Sequence, residues 1–408
     1  MKPQPPRSSV NKLHFLVALM LLCTVASAQF PSKLTEQSRI SLLTLSPGDE
    51  VHTFFGHGTL RVVDSVGGKR FDASFNYGTF EFGDGFIQKF LYGELDYTLS
   101  VLHTQASIDE AASDNRSVVE QELYLTLEQR QRLYDALIEN SQPENRTYRY
   151  DFLFDNCSTR LVDMLRDTLG DGLVFPTGPY EPRDFRTLLE EHVVSFPWVR
   201  FGFDLLLGAT LEREASFEES WFLPRHFMAA VGDATLDGHA LVSKTVVLND
   251  SGQPDLPFRT LDQANLLSWI LLAFGAIASF KDSRGRLSRI LDACLFASIG
   301  LIGLVLALMW GATRHHVTAQ NWNLIWAWPT HLLAAIFLVR RGRPNWLRAY
   351  LLLTVLGAAC AALGMGTPLE GWGYGVPQDF APAILPLGLL IALRAWMNIR
   401  NLPPTKQS

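Results

Sequence analysis

A cysteine at a predicted strand-to-helix junction is the residue of this chain best suited to nucleophilic chemistry. Cys157 follows an alternating run at residues 148–154 that predicts a strand, and it precedes leucines whose spacing predicts a helix ending at Gly170. Backbone N–H groups and the positive end of the helix dipole converge at such a junction, where they can lower a thiol's pKa and hold an oxyanion. A buried, inert cysteine beside a helix cap is the alternative, and the local sequence alone favours it.

Cys157 is the only cysteine of the segment that we expect to be exported. Of the other three cysteines, Cys23 lies in an N-terminal apolar run, and Cys294 and Cys360 lie in later apolar runs. Exported proteins meet an oxidising compartment, where a thiol without a disulfide partner is liable to oxidation. The presence of Cys157 is therefore easier to explain if chemistry requires it.

Nucleophilic cysteine chemistry needs a base and a group that orients the base. His57 is the best candidate, because it begins a predicted strand between two glycines that leave room around the ring. If the hairpin that follows pairs Val63 with Arg70, His57 faces Asn76, whose amide oxygen can accept the ring proton. A slip of two residues would change this partner, and Asp72 is the alternative orienting group.

The order of these residues along the chain predicts a permuted papain-like fold. Papain-like and NlpC/P60 cell-wall peptidases carry the cysteine before the histidine, whereas His57 here precedes Cys157. The order is that of the LRAT-like acyltransferases, which are circularly permuted relatives, and this inference is by analogy.

The elements that must position these residues fall in one predicted α+β domain over residues 29–262. Thr126 and Gln129 form a capping-box pair that starts a helix. Pro182, at a first helical position, opens another amphipathic helix that stops before Pro197. The predicted domain thus supplies both strands and helices around the junction.

The N-terminus has the three regions of a secretory signal peptide. Basic residues precede an apolar run at 13–25 and an A-x-A cleavage site at 26–28. We expect cleavage after Ala28, so that residues 1–28 are removed. An uncleaved anchor is the alternative, and both interpretations place the following domain outside the inner membrane.

Beyond residue 262 the composition predicts an all-α transmembrane domain of five helices over residues 263–400. Most of its apolar blocks approach the roughly 20 residues needed to span a bilayer. The blocks lie at about residues 265–280, 290–311, 324–339, 347–364 and 379–397. Lys and Arg concentrate in the first and third connecting loops and near the tail, residues 401–408, so the positive-inside rule places these in the cytoplasm and the α+β domain in the periplasm.

Composition also limits the partners and cofactors. The formal net charge is −6, and no basic stripe interleaved with aromatic residues predicts a nucleic-acid partner. His315 and His316, in the second loop of the membrane domain, have no carboxylates or thiolates beside them in the loop, so we predict no metal site there.

Several motifs resemble those of the Lnb-type family of bacterial lipoprotein N-acyltransferases. In the exported domain these motifs are residues 55–57, 76–82 and 155–159, together with Phe90, Gly93 and Tyr97. In the membrane domain they are residues 316–318 and 321–323, which lie in an outer loop.

The resemblance implies a membrane-bound enzyme that moves an acyl chain from a phospholipid to the α-amine of a lipoprotein's lipidated N-terminal cysteine. Cys157, His57 and Asn76 would form the catalytic set, and an ester donor with a thioester intermediate would need no cofactor. The weaker candidates for substrate binding are Tyr77, Asp155, Asn156, Ser158, His316, Asn321 and Asn323. Those in the outer loop could bind a lipid headgroup or the acceptor, and interfacial anchoring with nearby tryptophans is their alternative role.

Two other functions fit the same sequence. One is a membrane-tethered papain-like peptidase or amidase that uses Cys157 and His57 on peptidoglycan. The other is a non-catalytic membrane protein whose exported domain binds a partner. The large membrane domain argues against the peptidase or amidase, because peptidoglycan cleavage does not require such a domain.

Overall fold

The computed structural model describes residues 30–80, 85–177, 180–253, 260–281, 285–340, 343–362, 378 and 382–402. The predicted signal peptide and all of the predicted tail beyond residue 402 lie outside the described residues.

A seven-stranded antiparallel sheet dominates residues 30–253. Its strands are β1 (Arg39–Leu45), β2 (His57–Val66), β3 (Lys69–Thr79), β4 (Asp96–His103), β5 (Val118–Leu123), β6 (Thr147–Arg149) and β12 (Val242–Asn249). They lie in the order β12-β5-β1-β2-β3-β4-β6. Two smaller sheets pair β7 (Leu173–Val174), β10 (Thr235–Leu236) and β11 (His239–Ala240), and β8 (Arg183–Asp184) with β9 (Glu214–Ala215).

The same region also contains helices, and the described residues from 260 onwards are mainly helical. The first group is α1 (Phe86–Tyr92), α2 (Thr104–Ser113), α3 (Leu127–Asn140), α4 (Cys157–Leu169), α5 (Phe185–Val193), α6 (Pro197–Leu206) and α7 (Pro224–Gly232). The second group is α8 (Gln263–Lys281), α9 (Arg286–Ala312), α10 (His331–Val339), α11 (Trp346–Ala362) and α12 (Ile384–Asn401). The chain is therefore a mixed α+β region followed by a helical region.

The main core lies between one face of the sheet and α3, α4 and α7. Leu60 and Phe75 of the sheet are fully buried there with Leu161 and Leu165 of α4. Burial of such side chains is worth roughly 1.5–3 kcal/mol each before chain entropy is counted. This packing fixes α4, and with it Cys157, against β2 and β3.

The hairpin of β2 and β3 has a different register from the predicted one. Val63 pairs with Asp72, not with Arg70, so the strands are shifted by two residues. The turn consists of Gly67 and Gly68, which have φ of 58° and 79°. A two-residue turn of this kind needs positive φ at both positions, which glycine adopts without a steric penalty.

Two other predicted boundaries are wrong and one is confirmed. The strand expected over residues 148–154 ends at Arg149, because the Asp151 side chain accepts from the backbone N–H groups two and three residues later and forms a turn. The helix expected to open at Pro182 begins at Phe185, where Asp184 caps it. The Thr126 capping box is present as predicted.

The helical region differs from the predicted blocks mainly in the third. Residues 324–339 do not form one helix, since a 3₁₀ turn at Trp322–Ile325 precedes α10, which has only nine residues. By length and composition, α9 is the one helix among the described residues that could cross a membrane, and α8 and α11 contain shorter apolar stretches. Leu205 of α6 is buried in the core of this region, where α6 packs against α8 and α9.

Candidate active site

The predicted nucleophile, Cys157, is the first residue of α4. Asn156 is the N-cap, and its side-chain oxygen accepts from the backbone N–H groups of Ser158 and Thr159. The Thr159 hydroxyl in turn accepts from the N–H of Asn156, which completes a capping box. The thiol therefore lies at the positive end of a firmly capped helix.

Asn156 is buried, and its amide is fully occupied. Its Nδ2 donates to the carbonyl oxygens of Phe152 and Phe222 at 2.9 and 2.8 Å, and the residue is only 3% exposed. We predicted a substrate contact from the sequence; the structure instead places Asn156 where it holds the start of α4 in position.

We expect Asn156→Ala to destabilise the fold, because it removes the helix cap and the donor to two carbonyl oxygens, of which that of Phe222 is buried. The expected loss is roughly 2–3 kcal/mol, measured as a lower thermal midpoint of the full chain. Thr126→Ala is the control, because it removes a cap at an exposed helix start without leaving a buried carbonyl oxygen unpaired, so its thermal midpoint should fall less. Equal thermal midpoints for Asn156→Ala and the wild-type chain would contradict this role.

His57 and Asn76 form the predicted pair in spite of the shifted register. The Nε2 of His57 donates to Oδ1 of Asn76. Continuing the observed pairing places Gly78 opposite His57 and Asn76 on the diagonal, which long or polar side chains can still reach. With Nε2 engaged, Nδ1 is the ring nitrogen left to face the thiol.

Gly78 lies where the two reactive side chains meet. It has φ of 95° at a bulge between β3 and β4. A Cβ at this position would lie 3.8 Å from both the Cβ of Cys157 and the Cε1 of His57. A larger residue would therefore be strained and would occupy space beside the thiol.

The thiol and the imidazole favour each other's charged forms. Burial raises the pKa of Cys157, but the His57 ring, the Gly58 N–H and the Ser158 hydroxyl outweigh it, so the pKa lies below the usual thiol value. Burial lowers the pKa of His57, but the thiolate and Asn76 outweigh it, although nearby Arg116 opposes them. The net shift of the His57 pKa is upward, so the geometry favours a thiolate–imidazolium pair.

We expect Asn76→Ala to lower the rate at which Cys157 reacts with an activated ester about tenfold to a hundredfold. The variant removes a hydrogen bond to a charged ring, worth about 1.5–3 kcal/mol, and each 1.4 kcal/mol is about tenfold in rate. Single-turnover acylation followed by mass spectrometry measures the effect. A rate within twofold of wild type would show that Asn76 does not orient the base.

The alternative orienting group, Asp72, is occupied elsewhere. Its carboxylate accepts from Nε and Nη2 of Arg61 at 2.8 and 2.6 Å and from Arg70 at 2.8 Å. These contacts hold its pKa below the usual range in spite of burial, with the Arg61 hydrogen bond the largest opposing cause. Asp72 therefore stabilises the hairpin and does not contact His57.

A turn at residues 151–155 leads into the nucleophile. Asp151 and Asp155 pair through both backbone hydrogen bonds, at 3.1 and 3.0 Å. The Asp155 side chain forms a bidentate ion pair with Arg160, whose guanidinium lies 4.3 Å above the ring of Tyr148. Asp155 thus ties the turn to α4, although its carboxylate is partly exposed beside the site.

A loop of the helical region reaches this turn. We call residues 313–323 the docking loop. His316 Nδ1 lies 3.1 Å from Oδ2 of Asp151, and its ring lies 5.6 Å from that of Phe154. His315 Nε2 bonds to the Phe90 carbonyl oxygen at 2.8 Å. His316 is therefore near the site, but it contacts the turn and not the thiol.

Other predicted substrate contacts are buried structural groups. Asn321 and Asn323 are 1% and 0% exposed, and their amides donate to the carbonyl oxygens of Leu205 and Asp204 at 2.7 and 2.9 Å. Both amides therefore hold the docking loop on α6. Tyr77 lies in the main core and donates to Asn140 at 2.7 Å, whereas buried Ser158 lies beside the thiol.

Two tyrosines near the thiol, Tyr148 and Tyr150, were not singled out from the sequence. Tyr148 belongs to the main core cluster, and Tyr150 and Cys157 pack against it. Burial and then the Cys157 charge raise the pKa of Tyr148 and of Tyr150. Both tyrosines lie on alternate positions of the sequence a few residues before the nucleophile, and this pattern could have identified them. Within the described ranges, no group of His, Cys, Asp and Glu could hold a metal ion.

Two family models match the chain. The Lnb N-terminal periplasmic domain matches residues 32–191, which include His57, Asn76 and Cys157. The Lnb transmembrane domain matches residues 263–404, which include the docking loop. Comparisons with curated proteins and with solved structures gave no match.

The two matches together cover more than half of the chain. They identify a membrane protein with a periplasmic N-terminal domain, and the family domains suggest a protein that modifies lipoproteins. The chain belongs to the Lnb family.

Proposed function

We propose that this protein is a membrane-bound lipoprotein N-acyltransferase. It would move a fatty acyl chain from a phospholipid, through a thioester on Cys157, to the α-amine of a lipoprotein's N-terminal diacylglyceryl-cysteine. The observation that carries the proposal is the set of Cys157, His57 and Asn76, in a domain packed on apolar helices. Both proposed substrates reside in the bilayer that those helices would occupy.

In the first half-reaction the Cys157 thiolate attacks the ester carbonyl carbon of the phospholipid. A bond forms between Sγ and the acyl carbon, and the ester C–O bond breaks. His57 holds the thiol proton and passes it to the departing lysophospholipid oxygen. Asn76 keeps the ring oriented while it is charged.

In the second half-reaction the acceptor amine attacks the thioester. The C–N bond forms, the C–S bond breaks, and His57 takes the amine proton before returning it to sulfur. The backbone N–H of Cys157 itself can hold the tetrahedral oxyanion in both halves, because the Asn156 cap occupies the N–H groups of Ser158 and Thr159. The ester supplies the acyl group and the thioester keeps it activated, so the reaction needs no metal or nucleotide.

The order of catalytic residues supports a permuted papain-like arrangement for residues 29–262. The nucleophile begins a helix, whereas the base and its orienting amide lie on adjacent strands packed against that helix. This division of roles between helix and sheet is the one expected for papain-like chemistry, and the base precedes the nucleophile in the chain.

We further propose that residues 1–28 are a signal peptide and that five crossings over residues 263–400 leave the C-terminus in the cytoplasm. The third crossing is unusual, because α10 as a helix is only about 14 Å long. Non-helical backbone is tolerated at membrane depth where protein covers it. Trp326 and Ala327, which precede α10, are 1% and 0% exposed.

The acceptor is tested by the intact mass of a reporter lipoprotein expressed with and without the protein. We expect the N-terminus to gain one fatty acyl chain only when Cys157 is present. Analysis of muropeptides in the same cells tests the rival peptidase or amidase. Unchanged lipoprotein mass together with newly cleaved muropeptides would contradict the proposed function.

A further inference from the structure

Three aromatic rings form a continuous surface beside the proposed nucleophile. The rings of Tyr150 and Tyr97 stack with centroids 4.1 Å apart and an interplanar angle of 19°, and those of Tyr97 and Phe80 lie 5.3 Å apart. All three residues are only partly buried. We call Tyr150, Tyr97 and Phe80 the aromatic row.

One end of the aromatic row lies at the thiol. Tyr150 directly precedes Asp151, whose backbone pairs with that of Asp155, two residues before Cys157. Tyr97, Tyr150 and Cys157 pack against the same core cluster. The effect of the Cys157 charge on the Tyr150 pKa, second only to burial, agrees with this proximity.

The middle ring of the row, Tyr97, follows a segment that contacts the helical region. Tyr97 lies at the start of β4, just after α1, and the end of α1 is bound to the docking loop. The Tyr92 carbonyl oxygen accepts from the Arg314 N–H at 2.8 Å, and the Arg314 side chain pairs with Glu94 at 3.0 Å. The docking loop directly follows α9, the longest apolar helix among the described residues.

We propose that the aromatic row is the acyl-chain subsite, along which the fatty chain of the Cys157 thioester lies. The inference rests on the proposed function and adds the place and chemistry of chain recognition. A saturated chain gains most from apolar contact along its whole length, and aromatic rings supply such contact without hydrogen-bond demands. The segment just before Tyr97 contacts the docking loop, which follows α9, so an acyl chain could approach the row from the helical region.

The inference predicts a loss of chain-length selectivity when the rings are removed. The full-length protein in detergent is given p-nitrophenyl acetate or p-nitrophenyl palmitate, and the acyl mass on Cys157 is followed with time. For Tyr97→Ala and for Tyr150→Ala we expect acylation by palmitate to slow at least about tenfold. Acylation by acetate should change less than about threefold, which also shows that the site remains folded.

Matched variants separate the rings from the hydroxyls. Tyr97→Phe and Tyr150→Phe should keep the preference for palmitate. So should Tyr124→Ala, which changes an exposed tyrosine that directly follows β5. Equal slowing with both esters, unchanged selectivity in the alanine variants, or lost selectivity in the phenylalanine variants would each overturn the subsite. If the wild-type chain gains no acyl mass from either ester, the proposed function fails and the subsite falls with it.

Discussion

Cys157→Ala should abolish the proposed lipoprotein acylation, with a loss of at least about a thousandfold, because the proposed mechanism carries the acyl group on this thiol. Cys157 lies at the capped start of α4, where its thiol interacts with the imidazole of His57. The measurement is the initial rate of acyl transfer to a reporter lipoprotein by the purified full-length protein.

The chain offers a matched control for this variant. Cys294 is a second free cysteine, exposed on α9 and remote in sequence from the site, so Cys294→Ala should retain the wild-type rate. If Cys157→Ala also retains most of the activity, the protein acts by another route or binds a partner without catalysis.

His57→Ala should reduce acyl transfer about a hundredfold to ten-thousandfold, as expected for loss of a general base. His52 supplies the control, because it lies on the same segment but is exposed and contacts only Glu50 among ion-pair partners of the described residues. His52→Ala should therefore keep the wild-type rate. A similar loss in both variants would indicate a folding defect and not lost proton transfer.

The same variant should change the pH dependence of thiol reactivity. In the wild-type protein the pKa of Cys157 is lowered, because the His57 charge and hydrogen bonds outweigh burial, so alkylation should begin below the usual thiol range. In His57→Ala the Cys157 thiol stays buried but loses the charge that most strongly opposes the effect of burial. The pKa of Cys157 should therefore rise, and the alkylation profile should move to higher pH. Iodoacetamide labelling with peptide mass spectrometry measures this, and an unchanged profile would contradict the ion pair.

The raised pKa of His57 determines the alkaline side of the pH dependence. The pKa of His57 is raised, because the thiolate and Asn76 together outweigh burial, so the imidazolium persists above its usual range. The lowered pKa of Cys157 and the raised pKa of His57 both favour the charged pair. The rate of acylation should therefore rise and then fall with increasing pH, through the two apparent pKa values of the pair.

The hairpin shows how far the sequence could predict the site. Both glycines of the turn were visible, and only a turn centred on Gly67 and Gly68 uses positive φ at both. The predicted pairing of Val63 with Arg70 does not centre the turn on both glycines, and it differs from the observed register by two residues. Asn76 still reaches His57 because a diagonal neighbour is within side-chain range, so the partner was found through an incorrect register.

Contacts between distant segments could not be predicted in the same way. The approach of His316 to Asp151 joins residues 165 positions apart in the sequence, and neither local pattern specifies it. The same applies to the amides of Asn321 and Asn323, whose place in a predicted outer loop suggested ligand binding. Tertiary packing instead buried them against α6 carbonyls, where an unpaired amide would be costly.

The central claim is that Cys157 carries the acyl group, and a trapped intermediate tests it most directly. The full-length protein is incubated with phospholipid in the absence of an acceptor, denatured in acid and digested. We predict that the Cys157 peptide gains the mass of one fatty acyl chain and that hydroxylamine removes it, as for a thioester. An unmodified Cys157 peptide under conditions where lysophospholipid is released would contradict covalent catalysis by this residue.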